Sequence, residues 1–308
     1  MSPDSSSPLA GRVDSALKSI TALDTSSSPT PHAQFAIISD PARSETSYGV
    51  FRLPRIPILD EARNGASLNT EGLFGEAFQC LETAKGWTRV KLLTNGEEGW
   101  IDVPFVKMTA EELAAHSTRG SNLLRNRLIT VDDGQFGATL TLGASIPTID
   151  PKSGVFRIGS HEFHVEGAPD LLDKPLHTRK EFVRAALTFV GTGYAWGGRS
   201  VVSGADCSGL CVTAGRFIGL ELPHSANKTW KTLSAVSGIE EAKSGDLLFY
   251  GRPEAPERAS HVGILLKYKN GHNFMLHASG EVRINPLSPN LSYNHESPLV
   301  FRGIGRIL

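Results

Sequence analysis

The chain has 308 residues and a formal net charge of −1. That is enough chain for two or three domains with a sizeable core, and a near-neutral balance that offers no electrostatic footing to a nucleic-acid or membrane-surface partner. A 40% hydrophobic and 20% charged composition is that of a soluble globular protein, and no apolar run approaches the roughly 18 residues of a membrane helix. Three cysteines (Cys80, Cys207, Cys211) are an odd count and too few for a disulfide framework. Cys207 and Cys211 lie one helical turn apart with no neighbouring His or Cys cluster, so neither a metal nor another cofactor is expected.

Residues 1–37 are rich in Ser and Pro and are expected to form a flexible arm, with at most a short amphipathic turn around Val13–Leu23. They lack a basic stretch followed by an apolar one, so no secretory signal is read. A cytoplasmic location is expected, with an extracytoplasmic one left open.

From Tyr48 the chain changes to closely spaced β segments. Leu73-Phe-Gly-Glu76 runs into Ala77–Leu81, followed by Gly86–Lys91, an Asn95-Gly96 turn and Gly99-Trp-Ile101. The alternation in TRVKLL and the Asn-Gly pair predict a β-hairpin, and the short strands together a small barrel. The LFGE, GWTRVK and EGWI segments resemble a bacterial SH3-like (SH3b) domain over residues 38–107. Cys80 is read as a small buried hydrophobe in a strand. Thr109 and Glu112 form a capping box that starts a connector helix within 108–121.

A second β-rich stretch holds RLITV, ATLTLGASIPTI, GVFRIG and HEFHVEG, and residues 122–168 are assigned to a second SH3b-like barrel. His161 and His164, three apart in a strand, point to opposite faces and make a poor metal pair. Residues 169–176 are expected to be a linker.

The remaining chain, 177–308, predicts an α+β domain. Thr178 and Glu181 form a capping box ahead of a helix closed by Gly191. A Gly-rich loop then leads to Cys207, where Leu210, Cys211, Ala214, Phe217 and Ile218 recur with helical spacing. Cys211 thereby faces the core. A short helix is expected after Pro223-His224-Ser225. Strands follow at Gly245–Tyr250, His261–Lys267, Phe274–Ala278, Val282–Ile284 and near Val300–Ile307.

Cys207 has the context of a nucleophile. A thiol reacts as thiolate, and unsatisfied N–H groups at a helix start favour that anion. His261, opening a strand, is the candidate base, and His277 in the neighbouring strand the residue that fixes its tautomer. Tyr194-x-Trp-Gly-Gly, Asp206-Cys-Ser-Gly, Gly245-Asp-Leu-Leu-Phe, His261-Val-Gly-Ile and His277-Ala-Ser occur in that order. This set closely resembles the NlpC/P60 family of papain-like cysteine peptidases, and the resemblance covers 177–308.

The resemblance implies Cys207 as nucleophile, His261 as general base and acid, and His277 as the orienting residue. It implies that Tyr194, with the Cys207 backbone N–H, stabilises the oxyanion. Asp206 and Ser208 match positions lining the substrate site. Asp206 either pairs with a substrate ammonium or caps the helix. Trp196 and Ser225 are further substrate-contact candidates, and Glu76 of the first SH3b domain is a second candidate partner for a substrate amine. The loop from Tyr194 to Cys207 is about one residue longer than in relatives, and the Arg252–Ser260 and Lys267–Asn273 segments are extended.

Relatives with two SH3b-like domains before the catalytic one include γ-D-glutamyl-L-diamino acid endopeptidases. The similarity implies hydrolysis of the γ-D-glutamyl–diamino acid bond in cell-wall (murein) peptides with a free N-terminal L-Ala. An N-acetylmuramoyl-L-alanine amidase or a hydrolase of intact peptidoglycan is an alternative, as is a non-catalytic murein-binding protein, which the intact Cys207, His261 and His277 argue against.

Overall fold

The structure, a computed structural model, describes residues 8–21, 23, 47–118, 121–135, 137–293 and 298–308. Much of the expected arm and the first residues of the expected SH3b domain lie outside them. The described helices are α1 (Pro8–Ser19), α2 (Ala110–Thr118), α3 (Arg179–Leu187), α4 (Cys207–Arg216) and α5 (Ala226–Thr232). The chain divides into two compact units: residues 1–30, 176–194 and 204–308 in one, 31–175 and 195–203 in the other.

In the first unit a six-stranded antiparallel sheet runs in the order Ser234–Val236, Val300–Arg306, Leu247–Gly251, His261–Lys267, Asn273–Ser279, Glu281–Pro286. The apolar residues of its middle strands fill a core that includes Leu248, Tyr250, Leu265, Met275 and Ile304. Helix α4 packs against α3 and against the His261–Lys267 strand. It is buried almost throughout, which explains its small residues: Gly215, Ala214 and Cys211 let it approach its neighbours closely. At Gly215 a Cβ would meet the Leu220 carbonyl at 2.6 Å. Arg179 at the start of α3 forms a buried ion pair with Asp246 at 2.7 Å, and Asp246 also accepts from the Lys243 backbone N–H at 2.9 Å. That carboxylate ties α3 to the sheet.

The expected flexible arm needs correction. Pro8–Ser19 is helical, and Val13, Leu17 and Ile20 are buried. The spacing of those three is one helical stripe, α1 packs on α3, and Ile20 bridges to Tyr268 while the Thr21 backbone N–H donates to the Lys267 carbonyl at 2.6 Å. The Ser/Pro content that suggested an arm lies around this helix, not within its apolar stripe.

The second unit opens with a seven-stranded antiparallel sheet ordered Leu68–Leu73, Arg55–Leu59, Glu98–Ile101, Trp87–Leu92, Ala77–Ala84, Tyr48–Val50, Val106–Met108. Its hairpins turn where expected, with Gly96 at a φ of +72° that favours glycine. Phe51, Ile56, Ile58, Phe78, Val90, Leu92 and Ile101 form one buried cluster, with Cys80 packed against it. The capping box at α2 is reciprocal: Thr109 N–H donates to Glu112 Oε2 at 2.8 Å, and Glu112 N–H to Thr109 Oγ1 at 3.2 Å.

The second β stretch forms a four-stranded sheet (Gly137–Thr141, Leu128–Asp132, His161–Glu166, Val155–Ile158) and a three-stranded one (Ser145–Pro147, Ser121–Leu124, Leu171–Leu172). Leu171–Leu172 was expected in a linker but pairs with the Ser121–Leu124 strand. The two β stretches also share a core beyond the first stretch's own cluster. Tyr48, Val50 and Phe74 from the first, Leu113 of α2, and Phe156 and Phe163 from the second share one buried cluster. Edge-to-face contacts of Phe74 with Phe156 and Phe163, at 5.9 and 5.2 Å, mark the join.

Residues 195–203, expected in the catalytic domain, group with this β-rich unit. The reason is ionic: Arg199 is fully buried, donates from Nε to the Glu71 carbonyl at 2.6 Å and pairs with the Glu76 carboxylate. Its backbone N–H and the Ser203 hydroxyl both donate to Glu71 Oε2, at 3.1 and 2.9 Å, while Arg55 holds Glu71 Oε1 at 2.7 Å.

Candidate active site

The site is built on the start of α4 and the adjoining strands. Asp206 is the N-cap, extended at φ −90°, ψ 178°. Its Oδ1 accepts from Gly209 N–H at 2.7 Å and from Ser208 Oγ at 3.0 Å, and lies 3.1 Å from His224 Nε2. Such a cap satisfies donors the helix leaves open and fixes the turn from which Cys207 projects. Asp206, Cys207 and Ser208 are all buried. Of the two roles open to Asp206, capping is the one seen; His224 is a partner that sequence reasoning did not single out.

Two opposed influences act on the Cys207 thiol. Hydrogen bonds from the backbone of Val262, Ser208 and Cys207 itself favour the thiolate, whereas complete burial and the nearby Asp206 charge disfavour it. Burial wins, and the thiol is pushed up to about 12. The depression expected from the helix start is therefore corrected: desolvation and Asp206 outweigh it. Cys211, deeper in the same helix, is also pushed up by burial, as an inert core cysteine should be.

The Val262 hydrogen bond brings the sulfur to the strand that His261 opens. His261 is buried, with Nε2 2.8 Å from His277 Nδ1. The strand register pairs Ile264 with Leu276, which sets Gly263 beside His277; a Cβ at Gly263 would come within 2.4 Å of Met275 and 3.2 Å of His277. His277 Nε2 in turn lies 3.1 Å from Asn285 Oδ1 on the Glu281–Pro286 strand. Tyr293 stacks on His261 at 5.4 Å and meets His277 edge-on at 4.8 Å. Burial, with His277 beside it, lowers His261 to about 3; burial and the Arg283 charge lower His277 to about 4 against the hydrogen bond to Asn285. Thiol and imidazoles are thus neutral at rest.

Tyr194 bridges in parallel to Ala205, next to the Asp206 cap, and its N–H donates to the Gly280 carbonyl at 2.8 Å. Burial, with Cys207 and the Asp206 carboxylate nearby, raises its phenol to about 12, so the hydroxyl stays a donor.

The other expected contacts divide differently. Ser225 caps α5, accepting from Lys228 N–H at 3.4 Å. Trp196 is 70% exposed and belongs to the β-rich unit. Glu76 is corrected: its carboxylate is buried and holds the Leu73 N–H at 2.7 Å, Thr94 Oγ1 at 3.2 Å and Arg199, so it is engaged within the β-rich unit and is not a partner for a substrate amine. Among the described residues no His, Cys, Asp and Glu cluster is arranged to hold a metal.

The site thus holds a buried thiol at a helix start, beside a strand that opens on one imidazole linked to a second. Residues 191–297 match the NlpC/P60 family, and residues 58–103 match the bacterial dipeptidyl-peptidase Sh3 domain. The chain therefore joins an NlpC/P60 domain to a bacterial SH3 domain, and is homologous to γ-D-glutamyl-L-lysine dipeptidyl-peptidase and other NlpC/P60 endopeptidases.

The γ-D-glutamyl-L-lysine dipeptidyl-peptidase of Bacillus subtilis (strain 168) is 24% identical over 221 residues, covering 68% of this chain and 72% of that protein. A bifunctional muramidase/DL-endopeptidase of the same strain is 34% identical over 111 residues, 35% of this chain. The chain spans only 33% of that relative's length. The crystal structure of an NlpC/P60 family protein from Bacillus cereus ATCC 10987 has the same fold, with a TM-score of 0.68 at 17% identity, over 85% of this chain and 99% of that one.

Proposed function

We propose that the protein is a cysteine endopeptidase that hydrolyses the γ-D-glutamyl–diamino acid bond of murein peptides bearing a free N-terminal L-Ala. The observation that carries the chemistry is the Cys207 thiol bound at the backbone of Val262, adjoining the His261–His277 pair. The bond specificity is supported by the relative whose likeness extends over both kinds of domain. We read residues 122–168 as a second SH3b-like element, which agrees with the two-SH3b arrangement of such enzymes.

On this reading Cys207 Sγ attacks the γ-carbonyl carbon as its proton passes to His261. The Cys207 N–H and the Tyr194 hydroxyl hold the oxyanion. Collapse expels the diamino acid amine, which takes the proton from His261, and leaves a thioester. Water, deprotonated by His261, then releases the γ-D-glutamyl product and regenerates the thiol. Asp206, Ser208, Ser225 and the exposed Trp196 are the proposed substrate contacts, with the Asp206 carboxylate the candidate for the substrate ammonium. No cofactor takes part. Action on released peptides fits murein recycling in the cytoplasm.

Digestion of defined muropeptides tests the proposal. Free L-Ala-γ-D-Glu-diaminopimelate peptides should be cut at the γ-glutamyl bond, intact sacculi left whole, and Cys207→Ala left inactive. Cleavage of polymeric wall, cleavage at the muramoyl–alanine bond, or activity surviving Cys207→Ala would overturn it.

A further inference from the structure

We propose that Asn285 is a positioning residue that sets the ring tautomers of both His277 and His261, and so leaves His261 with a lone pair for the nucleophile's proton. The inference rests on the cysteine-peptidase reading of the site, but the tautomers themselves do not depend on which substrate is cut.

A neutral imidazole carries one N–H and one lone pair. Asn285 Oδ1 only accepts, so at 3.1 Å from His277 Nε2 it requires the proton there. His277 Nδ1 is then bare and must accept from His261 Nε2–H across the 2.8 Å contact. His261 Nδ1 is left unprotonated, able to act as a base. Turned the other way, the Asn285 amide would donate to His277 Nε2, both rings would take the opposite tautomer, and His261 Nδ1 would already hold a proton. Only one polarity of the chain Asn285–His277–His261 gives a working base.

The strand register makes the contact possible. His277 pairs directly with Arg283, and Met275 with Asn285. Arg283 and Asn285 lie two apart and share a face of the sheet, so the Asn285 amide reaches diagonally to the His277 ring. A second feature keeps the chain neutral: the Arg283 charge opposes an imidazolium at His277. The other groups facing the pair are Asp206 at the α4 cap and the Tyr250 and Tyr293 rings, with Cys207 reaching the same strand through the Val262 backbone. Asp206 is the acidic one and acts on His261, not on His277. As an amide, Asn285 takes up no proton, so the one released by Cys207 stays on His261 until the leaving amine removes it.

The test is ¹⁵N NMR of the full chain with labelled histidine at neutral pH. Both His261 and His277 should appear as Nε2–H tautomers. Asn285→Ala should redistribute the tautomers of both rings and lower kcat by at least about tenfold, in the direction of the ~10⁴ cost of a wrong-tautomer catalytic histidine. Asn285→Asp keeps an acceptor, so it should restore both tautomers and much of the rate, while its charge moves the acid limb of the rate profile to higher pH. A proton on His261 Nδ1 in the wild type, or unchanged tautomers in Asn285→Ala, overturns the proposal. Should Asn285→Ala fail to fold, the wild-type spectrum and Asn285→Asp decide. A protein with the expected tautomers that cleaves no muropeptide would refute the peptidase reading and leave the tautomer assignment standing.

Discussion

At the scale of single residues, the site works against its own surroundings. A helix start is a favourable place for a thiolate, yet burial and Asp206 hold the Cys207 thiol at about 12 and burial with His277 holds His261 at about 3. A preformed ion pair does not fit those directions, so the proton must move to His261 as sulfur attacks. One consequence is a pH profile without an inflection near 6.5, the ordinary histidine value. Between the two limits the pair holds one proton, and that state is the active one. The kcat/KM of a murein-peptide cleavage should stay flat through neutrality, with its acid limb displaced well below 6.5. Stopped assays at closely spaced pH values, with enzyme integrity checked at each, settle this; a half-maximal point near 6.5 would mean that His261 is solvated in the free enzyme. The places of Cys207 at a helix start, of His261 at a strand start and of His277 within the next strand were legible in the sequence from the local patterns around them. His224 and Asn285 were not, since a His after Pro and an Asn in a strand carry no local signal of the partner they reach. Nor was the thiol's true direction, because burial is a property of the packed domain. Glu76 misled for the same reason: nothing local shows that Arg199, 123 residues away, takes its charge.

At the scale of elements, local rules served well where a side chain meets its own backbone. Thr109, Thr178, Asp206 and Ser225 all stand at the helix starts that their types suggest. The His261–Lys267 strand has its expected bounds. Tertiary contacts decided the rest: α1 is helical because its Val13, Leu17 and Ile20 stripe has a neighbour to cover it. Gly263 shows the same dependence from the opposite side. It occupies the middle of a strand, where glycine is ordinarily unfavourable, because a Cβ there would run into Met275 and press on His277. Gly263→Ala should therefore destabilise the protein by about 1–3 kcal/mol, the usual cost of overpacking a core. It should also lower kcat more than it raises KM, since the displaced group orients His261 instead of touching substrate. Urea denaturation and steady-state kinetics on the same preparation give both readings. A variant of full stability and full rate would show that Met275 yields without moving His277.

For the whole molecule, the buried imidazoles couple folding to pH. In the unfolded chain a histidine takes a proton below about pH 6.5, whereas folded His261 and His277 resist until about 3 and about 4. Above 6.5 both states leave these rings neutral and they add no pH dependence. Below it the unfolded state binds more protons, so stability falls as pH drops from 6.5 toward 4. The slope is about 1.4 kcal/mol per pH unit for each ring that stays neutral only when folded. Glu221 acts in the opposite sense: partial burial raises its carboxyl to about 7, so the folded state takes that proton first and gains stability over part of the same range. Exposed carboxylates whose ionised form is favoured by hydrogen bonds or ion pairs, such as Glu61, Asp150 and Glu162, enter only below about 4.5. Denaturant midpoints measured from pH 7.5 to 4.5 should therefore decline through 6, and His277→Gln should remove part of the slope while Glu221→Gln steepens it. A wild-type midpoint that stays level from 7.5 to 5 would mean that the two rings take up protons in the folded state, and would remove the neutral, buried histidine pair on which the catalytic reading depends.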